Sequence, residues 1–237
     1  WDANVPNLKA VFNDPTKDLH DENAKAIFGR VDKYTRPKAK MGVHAVNYVI
    51  TAKSLAVSLG TTIPEAQHFI SAWFKANPEI PEWHDRIQDE LETSRTIYNA
   101  FGFRKVFYER IEHVLPQAVA WIPQSTVAIA INKALLNIHR NLKYVKILSQ
   151  VHDSLIVMMP RHRFPSCLPE IHKQFLLEIP YKDDPLILPP TIEASTNSWG
   201  HVQPCTWEGE FEGNKDMSPL AMKMRSEEPT SELQSPM

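Results

Sequence analysis

The sequence predicts an α+β fold: a helical N-terminal half, then strands mixed with helices, with a small antiparallel sheet built round one hairpin. Three observations predict it. Apolar residues recur at three- and four-residue spacing in successive segments up to about residue 96, as amphipathic helices require. Ile147–Met159 holds two short apolar arms either side of His152-Asp153, the pattern of a buried hairpin. The later segments do not repeat as strand–helix crossover units, which excludes a simple parallel sheet.

The elements follow in order. Val5–Phe12 is a short apolar-periodic helix closed by the turn cluster Asn13-Asp14-Pro15-Thr16. His20 or Asp21 starts a second, Glu22–Phe28, which Gly29 ends. One long helix is expected from Pro37 to Leu59, capped by Thr35 or Arg36 and stopped by Gly60-Thr61-Thr62. Thr62-Ile-Pro-Glu65 has capping-box spacing, and Ala66, Phe69, Ile70, Trp73 and Phe74 make an apolar face up to Ala76. Pro81-Glu82-Trp83 opens a helix to about Thr96. Ile97–Phe107, with Asn99, Gly102 and Arg104-Lys105, reads as a hairpin or extended loop. Ser125–Asn141 is a long helix with an apolar stripe, Pro165–Glu178 another, and Leu186–Glu193 a final strand bounded by Pro185 and Pro189.

The composition is ordinary globular material, 43% hydrophobic and 23% charged over 237 residues, enough for a real core. Cys167 and Cys205 offer no disulfide framework and suit a reducing compartment. No run reads as a membrane span or signal peptide, so a soluble, cytoplasmic protein is expected. His201 and Cys205 are spaced like half a zinc site, but no second pair follows. No glycine-rich phosphate loop is present, so phosphate binding would need helix cations. The formal charge of −2 argues against a uniformly basic nucleic-acid binder. The distribution is uneven: Arg30, Lys33, Arg36, Lys38 and Lys40 stand against Asp32 alone, whereas residues 79–92 are strongly acidic.

Two elements carry chemistry. Arg36, Lys40, His44 and Tyr48 are spaced by four and form one polar stripe on a helix. Cations at a helix start oppose its dipole unless an anion is held there, so the stripe is either a polyphosphate site or a solvated basic face. Gln150-Val-His152-Asp153-Ser154 puts a carboxylate at a tight turn between buried arms, either as a polar turn or as a metal or catalytic group.

Together they resemble DNA polymerase family A, the bacterial polymerase I type, most closely its bacteriophage branch. Arg36-x3-Lys40-x3-His44-x3-Tyr48 is similar to the second polymerase motif, and Gln-Val-His-Asp-Ser-Leu to the third. Lys17-Asp-Leu-His20 resembles the segment that opens the fingers. Ala118–Thr126 resembles the start of the long palm helix, and Asn197-Ser-Trp199-Gly200 the closing signature. The resemblance implies fingers over residues 1–113, with the end of a palm helix at 1–12, packed on a palm over 114–211. It implies that Arg36, Lys40, His44, Tyr48 and His20 bind the nucleotide, Lys40 also protonating the leaving pyrophosphate. Gln124 and His152 would contact primer-template DNA. Asp153 would be the catalytic carboxylate and a ligand of two Mg²⁺ ions. The partners implied are primer-template DNA and dNTPs, and the cell of a bacterial host if the chain is phage-encoded.

Several positions depart from the family pattern. The first motif, Asp-x-Ser-x-x-Glu-x-Arg, which brings the other metal-binding carboxylate, is not found, so a truncated polymerase or one piece of a split enzyme is expected, inactive alone. The resemblance implies the missing N-terminal part of the polymerase as a partner. A non-catalytic primer-template-binding relic is the alternative. His44 stands where Phe or Tyr is usual, Val49 replaces a Gly, Ser154 a Glu, and Ala120 a polar residue. Residues 212–237 are expected to be disordered, and from about Arg225 they resemble a translated sequencing adapter.

Overall fold

The computed structural model describes residues 1–181 and 184–209, apart from the Glu112 side chain; the expected tail at 212–237 lies outside them. The fold is α+β, with helices first and four two-stranded antiparallel sheets after them. Two compact units divide inside a helix: residues 1–126 with 180–184, and residues 127–179 with 185 onward.

The first unit holds α1 (Pro6–Phe12), α2 (Leu19–Phe28), α3 (Thr35–Asn47), α4 (Ala52–Leu59), α5 (Ile63–Ala76) and α6 (Glu79–Ser94). The β1–β2 hairpin (Thr96–Tyr98, Arg104–Val106) and the start of α7 (Leu115–Asn141) complete it. Asp18, outside the expected start, caps α2 by accepting the N–H groups of His20 and Asp21. Gly29 ends it with φ 68°, as expected. Asp32 rather than Thr35 or Arg36 opens α3: its carboxylate accepts Tyr34 N–H and Thr35 N–H, while its own N–H donates to Thr35 Oγ1. The Thr62–Glu65 capping box forms in full. Val43, Val46, Leu55, Ala66, Phe69 and Trp73 are central to one core cluster, and Ile87, Leu91, Ile97, Phe107 and Val119 to a second. Gly42 lets α3 approach α5 closely, since an added Cβ would meet Phe69 Cζ at 2.4 Å.

The long helix expected from Pro37 to Leu59 is two helices. Its apolar pattern is continuous, but tertiary partners take the backbone and side chain of Asn47: His84 Nε2 lies 3.0 Å from its carbonyl and Trp73 Nε1 donates to its Oδ1 at 2.8 Å. Val49 then adopts φ 62°, a left-handed conformation rare for a β-branched residue, and Thr51 caps α4.

α7 starts at Leu115, ten residues before the expected Ser125, and carries Pro123 inside it. Proline removes one helical hydrogen bond. The Ser125 and Thr126 hydroxyls hydrogen-bond back to Ile122 O, beside the proline, at 3.2 and 2.8 Å. The extra turns also correct the expectation that no apolar run approaches a membrane span, since α7 is long and apolar enough to cross one by length and composition.

In the second unit, β3 (Lys146–Val151) and β4 (Ser154–Met158) form the expected hairpin, with an irregularity in register between Ile147 and Ser149. α8 (Phe164–Phe175) packs Cys167 and Ile171 against Ile138, Leu142 and Val145. The expected strand Leu186–Glu193 is two short ones, β6 (Leu186–Ile187) and β7 (Ile192–Ala194), because Pro189 and Pro190 cannot donate to a ladder. Their partners, β5 (Glu178–Ile179) and β8 (Gln203–Cys205), were not anticipated. His201 hydrogen-bonds Ser198, and among the described residues no three ligating side chains form a metal cluster.

Candidate functional site

The first unit assembles the polar stripe. Arg36 lies in the first turn of α3, and its guanidinium donates from Nη2 to Asp18 Oδ2 at 2.7 Å and from Nε to Asp21 Oδ1 at 2.8 Å. The anion that offsets the cation at this helix start is therefore supplied by the first turn of α2. Both pairs are solvent-accessible, so each contributes little to stability.

His20 comes to the same place from 16 residues upstream. Its pKa is pushed down first by burial, then by Lys40 and Arg36, with Asp18 opposing. Its Nδ1 is buried with no hydrogen-bond partner among the described residues. A buried orphan nitrogen between two cations is costly by itself and is satisfied by an anion with an acceptor oxygen or a proton. Lys40 is exposed and forms no ion pair with a described residue. His44 is exposed and meets Tyr48 edge-on with centroids 4.6 Å apart. Burial raises the Tyr48 hydroxyl pKa, while a hydrogen bond from the Gln124 side chain lowers it. The structure thus brings His20, Arg36 and Lys40 together, and separately His44, Tyr48 and Gln124. The Tyr48–Gln124 bond had no signal in the sequence.

In the second unit, Val151 pairs with Ser154, so His152 and Asp153 form a two-residue turn. His152 takes φ 52°, which this turn geometry demands. Asp153 is exposed and borders a cavity of about 910 Å³ lined by residues of α7, β4, the Leu188–Ala194 segment and Asn197-Ser198-Trp199. The closing landmark and the turn carboxylate therefore share one cavity, which only the order of motifs hinted at. Ser154 Oγ donates to Val151 O, so it serves the turn.

Residues 3–189 match the family description DNA polymerase family A. The chain belongs to DNA polymerase family A. The thermostable DNA polymerase I of Thermus filiformis is 30% identical over 200 residues, covering 79% of this chain and 23% of that protein. DNA polymerase I of Helicobacter pylori is 29% identical over 167 residues, 66% of this chain and 19% of its own length. The chain thus spans about a quarter or less of these relatives. The POL domain of Pol1 from M. smegmatis, solved in complex with DNA primer-template and dNTP, has the same fold at TM-score 0.68 and 21% identity, over 78% of this chain and 35% of that one. Family A polymerases use Mg²⁺. Asp153 is a carboxylate of the right chemistry and Glu193 lines the same cavity, but among the described residues no three ligating side chains form a metal cluster.

Proposed function

We propose that the chain is the fingers and C-terminal palm of a DNA polymerase that adds dNTPs to a primer 3′-hydroxyl on a DNA template. The observation that carries this is the convergence of His20, Arg36 and Lys40 on α2 and α3, around a buried nitrogen that lacks a partner. In this reading the triphosphate displaces Asp18 and Asp21 from Arg36, and His20 hydrogen-bonds a phosphate oxygen. Lys40 protonates the departing pyrophosphate. Tyr48, held by Gln124, fills space beside the templating base, His44 faces the sugar, and Gln124 and His152 contact the primer-template.

Asp153 would be one metal-binding carboxylate, with the other brought by the family's first motif, and bound Mg²⁺ would neutralise charge at the reacting phosphate. A second form of the same reading is a subunit of a split polymerase that works only with a partner. The setting would be a bacterial cytoplasm, that of a phage host for a phage gene. The test joins the chain to an upstream segment carrying the first motif. Asp153→Asn then abolishes primer extension and leaves DNA binding intact; Lys40→Ala slows the chemical step and Arg36→Ala raises the nucleotide requirement. Normal extension by Asp153→Asn would refute the assignment.

A further inference from the structure

The β1–β2 hairpin carries features that the proposed chemistry does not use. Tyr98, Phe103 and Tyr108 are exposed by 56%, 58% and 86%. The surrounding residues 95–110 hold Arg95, Arg104, Lys105 and Arg110 against Glu109 alone. Tyr98 pairs directly with Arg104 across the ladder, so ring and cation share the outer face, while the opposite-facing Ile97 is fully buried. Lys105 covers the ring of Phe107 at 4.8 Å, and Arg95 donates to Glu109 O at 2.8 Å. Arg104 and Arg110 are exposed and form no ion pair with a described residue.

The platform is held rigidly. Arg95 closes α6 in a left-handed conformation, φ 54°, and Gly102 turns the hairpin at φ 77°. Asn99 accepts Phe101 N–H and Phe103 N–H on its Oδ1 and donates from Nδ2 to Ser125 Oγ at 2.9 Å. Ser125 follows Gln124, which holds Tyr48. The hairpin is thus hydrogen-bonded to α7 within one unit.

Exposed rings interleaved with unpaired cations fit one class of ligand, single-stranded nucleic acid. Bases stack on the rings whatever their sequence, and cations meet the phosphates between them. Duplex DNA hides its base faces and would use only the cations. We propose that the hairpin binds the unpaired template strand, through stacking on Tyr98, Phe103 and Tyr108 and phosphate contacts from Arg104 and Arg110. This rests on the polymerase reading and adds a site to it.

The test measures binding of a primer-template with a 5′ thymidine overhang and of the same duplex blunt-ended. The overhang should tighten binding, and the variant Tyr98→Ala/Phe103→Ala/Tyr108→Ala should remove that gain, about tenfold for each base no longer stacked. Blunt-duplex affinity should stay unchanged, which also reports an intact fold. Tyr98→Phe/Tyr108→Phe keeps the rings and should keep the gain. Arg104→Ala should lower the salt slope for the overhang by about 0.7. An overhang gain that survives loss of the rings, or one absent from the parent chain, overturns the hairpin site and leaves the polymerase reading standing. Failure to bind either DNA overturns both.

Discussion

Gly42→Ala should destabilise the first unit by about 1 kcal/mol, although alanine is the better helix former. A Cβ at this position would lie 2.4 Å from Phe69 Cζ, 2.9 Å from Cε2 and 3.0 Å from Cε1, where carbon contacts prefer about 3.5–4.0 Å. The ring has nowhere to go. Phe69 is 2% exposed and meets Phe28 edge-on at 5.7 Å. Overpacking of this kind costs about 1–3 kcal/mol, and the helix-propensity gain returns about 0.8–1.0. At a urea slope of about 2 kcal/mol/M, the midpoint should fall by roughly 0.5 M. In the Phe69→Leu background the penalty should disappear, since contact between the two positions makes their effects non-additive. Moving α3 off α5 also displaces Arg36, Lys40 and His44, so triphosphate binding should weaken with none of them altered. A more stable Gly42→Ala chain, with unchanged triphosphate affinity, would refute the close approach of the two helices.

Two further outcomes concern protons. Glu65 is held at about 2 by the Thr61 hydroxyl first, then by Thr62 N–H and the Thr62 hydroxyl. A depressed carboxylate stabilises the fold above its ordinary value near 4.5 and loses that as pH falls through about 2. Denaturant midpoints should therefore drop between these values, and less so in Glu65→Gln; parallel curves would contradict the cap. For His20, burial and neighbouring cations favour the neutral ring, so the fold is favoured above the ordinary value of 6.5 and weakened as pH falls below it. Histidine NMR should show His20 titrating below 6.5 in the free chain and rising when a nucleoside triphosphate is added. No response of that signal to triphosphate would remove His20 from the site.

Much of this was legible in the chain because local rules and tertiary packing agreed. The Thr62–Glu65 box, Gly29 and the amphipathic face of α5 form as their spacing requires. Two of the misreadings share a cause: a distant partner overrode a local signal. Nothing near Asn47 announces a helix end, since the break depends on Trp73 and His84, 26 and 37 residues further on. The helix expected from Ser125 instead begins at Leu115 and continues through Pro123. The stripe on α3 was visible as periodicity, but its own counter-charges were not, because Asp18 and Asp21 belong to another helix.

Those two carboxylates make Arg36 a guarded cation. A singly charged anion approaching it trades one weak pair for another and gains little. A ligand with three or four negative charges can displace the guards and still engage Lys40 and the vacant nitrogen of His20. On the proposed reading the cluster would therefore discriminate by valence, holding a polyphosphate in preference to chloride or free monophosphate.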